Sequence, residues 1–226
     1  DVPVSDFQVL TSQEELLQAL TGCNMTACCL YPSAFPQVGA VLAEACRIRT
    51  DPLNVLLCCN EPGGAALLGA KRGYETMSQC YADPQVRRWV EEAFFQSEAA
   101  LLTKWKFEPS EYLRWRTMML NKMDQPSEDR TERVLKDMHR KLRREDRLVG
   151  PALLCLQNGY PCSRLVQAIC LALERLGSES PDFAQQLRRD PAAAAQDVCG
   201  LEKEDRAQQM LVQQIVRWLK EDRNSC

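Results

Sequence analysis

Pro32, Pro52, Pro84, Pro109, Pro126, Pro151, Pro161, Pro181 and Pro191 recur along the chain, several of them directly after an Asp, Glu, Gln or Ser. Proline is tolerated in the first turn of a helix, where its missing N–H has no intrahelical partner, and a small polar residue in front of it supplies the cap. After these signals come runs with apolar residues at three- and four-residue intervals, the spacing of one helix face. Asp83-Pro84 opens a run in which Val86, Trp89, Val90, Ala93 and Phe94 share a face. Asp190-Pro191 opens an alanine run, and Pro161 opens one that aligns Leu165, Ile169, Ala172 and Leu176, with Gly177 as its expected C-cap. Alternating strand patterns are scarce, so the chain is read as all-α.

Other segments fit the same reading. Thr11-Ser12-Gln13-Glu14-Glu15 has a capping-box arrangement before LLQAL, and Asp51-Pro52 precedes LNVLLCC. Ser110 precedes a run with Tyr112, Trp115, Met119 and Met123 roughly in line, and Asp205 precedes one with Leu211, Ile215, Trp218 and Leu219. Ser127 precedes EDRTERVLKDMHRKLRRED, expected to be one helix with a narrow stripe of Leu135, Met138 and Leu142. Two successive segments make the length of a HEAT or armadillo unit, yet no residue signature recurs. The architecture expected is therefore an irregular helical bundle or a short HEAT/armadillo-like α-solenoid. It is read as a single domain over 1–226, with a possible subdivision near 124–128 into 1–123 and 127–226.

Twelve cysteines ask for an explanation. A structural zinc site wants closely spaced Cys pairs and usually His; Cys23 and Cys28 are the one pair at that spacing, and His139 is the sole histidine. No metal site is expected. Dense disulfides belong mainly to small secreted domains. Here Cys58 and Cys59 end VLLCC, Cys155 sits in ALLCL and Cys170 in VQAICLAL, where a small apolar residue would serve as well. Reduced core cysteines are the reading, in a cytoplasmic or nuclear protein without a membrane span. The start at Asp1 is that of a fragment or a processed form.

No enzyme is expected. The stretch VLLCCNEPGGAALLGAKRG resembles a phosphate-binding loop only until Lys71, which is displaced by Ala70 and followed by Arg72 rather than Ser or Thr. It reads instead as a helix end, a turn and a helix start. His139 lies among charges on a solvated stretch, a poor setting for a general base.

Charge is the one feature that points outward. Residues 1–103 carry 6 Lys/Arg against 12 Asp/Glu, residues 104–147 carry 13 against 9, and residues 148–226 carry 9 against 10. Within the basic middle, Arg133, Lys136, Arg140, Lys141, Arg143, Arg144 and Arg147 form the expected partner-binding cluster, suited to an acidic surface. The function expected is a non-enzymatic helical interaction module, a scaffold subunit of a larger intracellular complex with other protein subunits as partners and no cofactor. The alternative is a nucleic-acid-associated module using the basic helix 128–147, and the third reading is a thiol-dependent enzyme.

Overall fold

The computed structural model describes residues 63–105, 113, 116, 117, 120, 121, 123–144 and 146–222. The chain divides into two compact units, residues 1–54 and 55–226, and the described residues belong to the second. The capping box at Thr11, the segment after Asp51 and the cysteines at 23, 28, 29, 46, 58, 59 and 226 lie outside the described residues, as do Tyr112, Trp115 and Met119.

The described fold is all-α. Helical residues 63–71 end at Gly73, whose φ of 80° lets Tyr74 N–H turn back to the Gly69 carbonyl at 2.9 Å. Helix α1 (Met77–Ala82) starts from a capping box in which Thr76 and Gln79 satisfy each other's backbone donors. Helix α2 (Pro84–Trp105) follows at once, with the Asp83 carboxylate accepting from Gln85 N–H at 2.7 Å. The Asp-Pro signal thus marks a real helix start. Val86, Trp89, Val90, Ala93 and Phe94 are all buried, as their spacing requires.

Residues 127–147 depart from expectation. In place of one long helix there are two single turns, α3 (Thr131–Val134) and α4 (Met138–Lys141), separated by Asp137 in the left-handed region at φ 57°. The segment is held by tertiary bonds that compete with helix: Thr76 and Arg130 form an isolated antiparallel bridge, and the Thr131 hydroxyl donates to the Tyr74 and Glu75 carbonyls. Leu135, Met138 and Leu142 are nonetheless buried, so the apolar stripe survives the break.

Helix α5 (Val149–Gln157) is apolar nearly all round and buried over most of its length. It packs on α2 and on α6 (Ser163–Glu179), which is also flanked by α2 and α4. Helices α7 (Pro181–Arg189), α8 (Pro191–Cys199) and α9 (Arg206–Arg217) close the other side, and α9 runs into a π-helical turn at Trp218–Asp222. Both α7 and α9 pack on α6. A solenoid stacks each unit on its neighbours alone, whereas α6 is surrounded, so the arrangement is a bundle. Leu165, Ile169, Cys170, Ala172 and Leu173 of α6 are fully buried, each large apolar one contributing about 1.5–3 kcal/mol. Gly177 is not a cap; it lies inside α6, where an added Cβ would come within 3.5 Å of Ala184 of α7.

Among the described residues Cys80, Cys155, Cys162, Cys170 and Cys199 are buried and form no disulfide. No described helix is long and apolar enough to cross a membrane.

Candidate functional site: an arginine-lined groove

Three helix ends meet around Trp89. Its ring packs so closely on the helix at 63–71 that a Cβ on Gly64 would lie 2.0 Å from ring atom Cη2; only glycine leaves the room. The indole N–H donates to Gln167 Oε1 of α6 at 2.8 Å, and Arg164 Nη1 donates to the same oxygen at 3.0 Å. Arg164 Nε meets Glu92 at 2.6 Å. Gln96 closes the start of α6, accepting from Arg164 N–H at 2.8 Å and donating to Ser163 Oγ at 2.9 Å. Buried amide and indole groups without partners are expensive, so this network holds α2 and α6 in one register.

A groove of about 490 Å³ opens over this network, lined by Leu68, Arg72, Pro84, Gln85, Arg88, Trp89, Arg164 and Gln167. Helical spacing explains the α2 contribution, because Gln85, Arg88 and Trp89 fall on one face. Arg72 reaches in from the end of the 63–71 helix, donating to Gln85 Oε1 at 2.7 Å with Asp83 3.5 Å from its Nε. Asp83 is held below the usual carboxylate range by the Gln85 N–H bond, by the Tyr74 hydroxyl that donates to it at 3.1 Å, and by the Arg72 charge, against an opposing effect of burial. The same hydrogen bond raises Tyr74 above its ordinary value, so its hydroxyl is a donor and not a base at neutral pH. Two arginines of the groove therefore have a carboxylate partner. Arg88 has no hydrogen bond or ion pair among the described residues, whereas Arg87 beside it is paired with Glu91 and Asp124.

The expected partner-binding cluster is placed differently. Arg133 pairs with Asp129, Arg144 with Glu202, and Arg140 and Arg147 both with Asp146. Lys141 is buried, its ammonium donating to the Val134 carbonyl at the end of α3, and burial with repulsion from Arg147 and Arg140 lowers its pKa to about 8. Lys136 and Arg143 are exposed. The groove arginines escaped the sequence reading because residues 72, 88 and 164 are adjacent only in the fold; the spacing of Gln85, Arg88 and Trp89 was the available signal. The described thiols do not suit nucleophilic work: burial pushes Cys80 up to about 11 and Cys155, Cys162 and Cys199 up to about 12. His139 is exposed.

A family model described as the mannitol dehydrogenase C-terminal domain matches residues 64–221. Over 145 residues the chain is 31% identical to a mannitol-1-phosphate 5-dehydrogenase of Bacillus licheniformis, an alignment covering 62% of this chain and 38% of that relative. The chain thus spans well under half the length of the relative it matches. These likenesses overturn the expectation of a non-enzymatic scaffold, of no enzyme, and of protein subunits as partners: they point to an oxidoreductase family acting on small molecules. Nuclear residence finds no support in them. The likeness is spread over the whole helical stretch and is not concentrated in a compact motif, which is why no short run of residues signals it. Since the match runs through well over half of its residues, the chain belongs to the mannitol dehydrogenase C-terminal domain family.

Proposed function

We propose that this chain is the helical, substrate-side part of a polyol-phosphate dehydrogenase of the cytoplasm. The observation that carries the proposal is the family match over residues 64–221, together with the identity to a relative named for its action on mannitol 1-phosphate. Oxidising a secondary alcohol to a ketone sends a hydride to an acceptor and the hydroxyl proton to a base, and nicotinamide cofactors are the common hydride carriers. The dinucleotide fingerprint requires a strand leading into a glycine-rich turn. The described residues are helices and connections, so none of them is assigned to the acceptor. Their part is to bind and orient the alcohol. Asp83, ionised and fixed by Gln85 and Tyr74, is an acceptor for a substrate hydroxyl at the mouth of a shallow hollow of about 720 Å³ that adjoins the groove.

The test is turnover by the protein as its own cell makes it. With mannitol 1-phosphate and an oxidised nicotinamide dinucleotide, phosphorus NMR should show a ketose phosphate growing as the alcohol is consumed. If neither this conversion nor its reverse occurs, the proposal fails.

A further inference from the structure

We infer that the groove between the 63–71 helix, α2 and α6 is a phosphomonoester site, with Arg88 as its principal ligand and Arg72 and Arg164 as flanking cations. The identity of the ester rests on the dehydrogenase reading; the anion site itself does not.

Charge bookkeeping within the groove comes first. Its three arginines face two carboxylates, Asp83 on Arg72 and Glu92 on Arg164, and these four groups largely neutralise one another. What remains is the guanidinium of Arg88, with no partner among the described residues. An arginine fork presents parallel N–H donors that match two oxygens of a phosphate, and such charge-assisted pairs are the stronger class of hydrogen bond.

The surroundings favour an anion over a second cation. The first turns of α2 and α6, helices of 22 and 17 residues, both contribute to the lining, and helix N-termini carry partial positive charge. Gln85 is neutral and its oxygen is already engaged as an acceptor by Arg72, which leaves its amide N–H groups as further donors. Trp89 gives a rigid apolar floor that lies under the groove without competing for the ligand's oxygens. A volume of about 490 Å³ is in the range of small-molecule sites and admits a hexitol phosphate.

The neighbouring arginines are held in place before any ligand arrives. Arg164 is fixed by Glu92 and Gln167, and Arg72 by Asp83 and Gln85. Their ordering entropy is therefore already spent, and only the Arg88 side chain has to be ordered on binding.

Titration calorimetry on the whole protein tests this, with inorganic phosphate, mannitol 1-phosphate and unphosphorylated mannitol as probes. The ester and inorganic phosphate are expected to bind and to compete, the ester more tightly. Arg88→Gln should weaken both by about tenfold or more, the effect of losing a hydrogen-bonded charge. It should leave the affinity for mannitol and the thermal midpoint unchanged, since Arg88 is exposed. Arg88→Lys, which keeps the charge and loses the fork, should fall between. Arg189→Gln, on the outer end of α7, is the charge-matched control and should change nothing. The inference is overturned if phosphate neither binds nor competes, if Arg88→Gln and Arg189→Gln have equal effects, or if mannitol binds as well as its phosphate. The two readings separate cleanly. Phosphate binding that depends on Arg88 without any turnover keeps the groove and removes the dehydrogenase; turnover of mannitol 1-phosphate indifferent to Arg88→Gln does the reverse.

Discussion

Gly64 and Trp89 show how one small residue fixes the position of a large one. A methyl group at 64 would overlap the indole ring, and the ring cannot retreat without releasing Gln167. Gly64→Ala should therefore destabilise the protein by about 1–3 kcal/mol, the usual range for overpacking, read as a lower urea midpoint with little change in slope. In a chain already carrying Trp89→Phe the same change should do less harm, because the smaller ring leaves room; additive effects would show that the two residues do not meet. Burial of Trp89 was legible from its place on the stripe Val86, Trp89, Val90 and Phe94. The role of Gly64 was not, since a glycine's neighbours across a packed interface leave no trace in its own segment. Gly177 makes the same point in reverse: its sequence context resembles a helix stop, yet it serves the approach of Ala184.

Among elements, the boundaries written by short polar residues before proline were the most legible. Asp190 accepts from Ala193 N–H at 3.0 Å and begins α8 at Pro191, and Ser180 does likewise for α7 through Phe183 N–H at 3.3 Å. Asp190→Ala should cost about 1 kcal/mol in denaturant unfolding, and Asp190→Asn should restore most of it, because either side chain caps. Equal losses in both variants would mean that the carboxylate acts by charge alone. The segment after Ser127 was the least legible. Its charges and its stripe of Leu135, Met138 and Leu142 fit a continuous helix, and local propensity had no access to Glu75 and Thr76, which bind it from elsewhere in the chain. The groove was illegible for a related reason, since its arginines come from three separate helices.

At the scale of the whole molecule, the buried thiols set an alkaline limit. Burial raises Cys80 to about 11 and Cys155, Cys162 and Cys199 to about 12, above the ordinary 9.0. The native state thus holds these protons after the unfolded chain has released them, so stability is fully present below about pH 9 and is lost as pH rises toward 11–12. Lys141, lowered to about 8, acts with the opposite sign: the unfolded chain holds its proton longer, so this one group adds stability as pH rises from about 8 to its ordinary 10.5. Four thiols outweigh one amine, each contributing about 1.4 kcal/mol per pH unit over its window. Unfolding under reducing conditions should show a maximum near pH 8–9 and a steep fall above it, made shallower by Cys199→Ala; a flat profile to pH 11 would contradict the burial of these groups. Function lay furthest from the sequence because fold class follows from patterning that any helical domain shares, whereas the reaction belongs to an enzyme of which this chain matches a part. Ser180 ends α6 and caps α7, and Asp190 ends α7 and caps α8, so three helices turn two corners with a single residue at each and no slack between them. A residue added or removed inside one of these helices would rotate the positions after it by about 100° around that helix axis, and neither one-residue corner has slack to absorb the change. From 163 to 199 the number of residues between the caps is thus held as tightly as the buried side chains themselves.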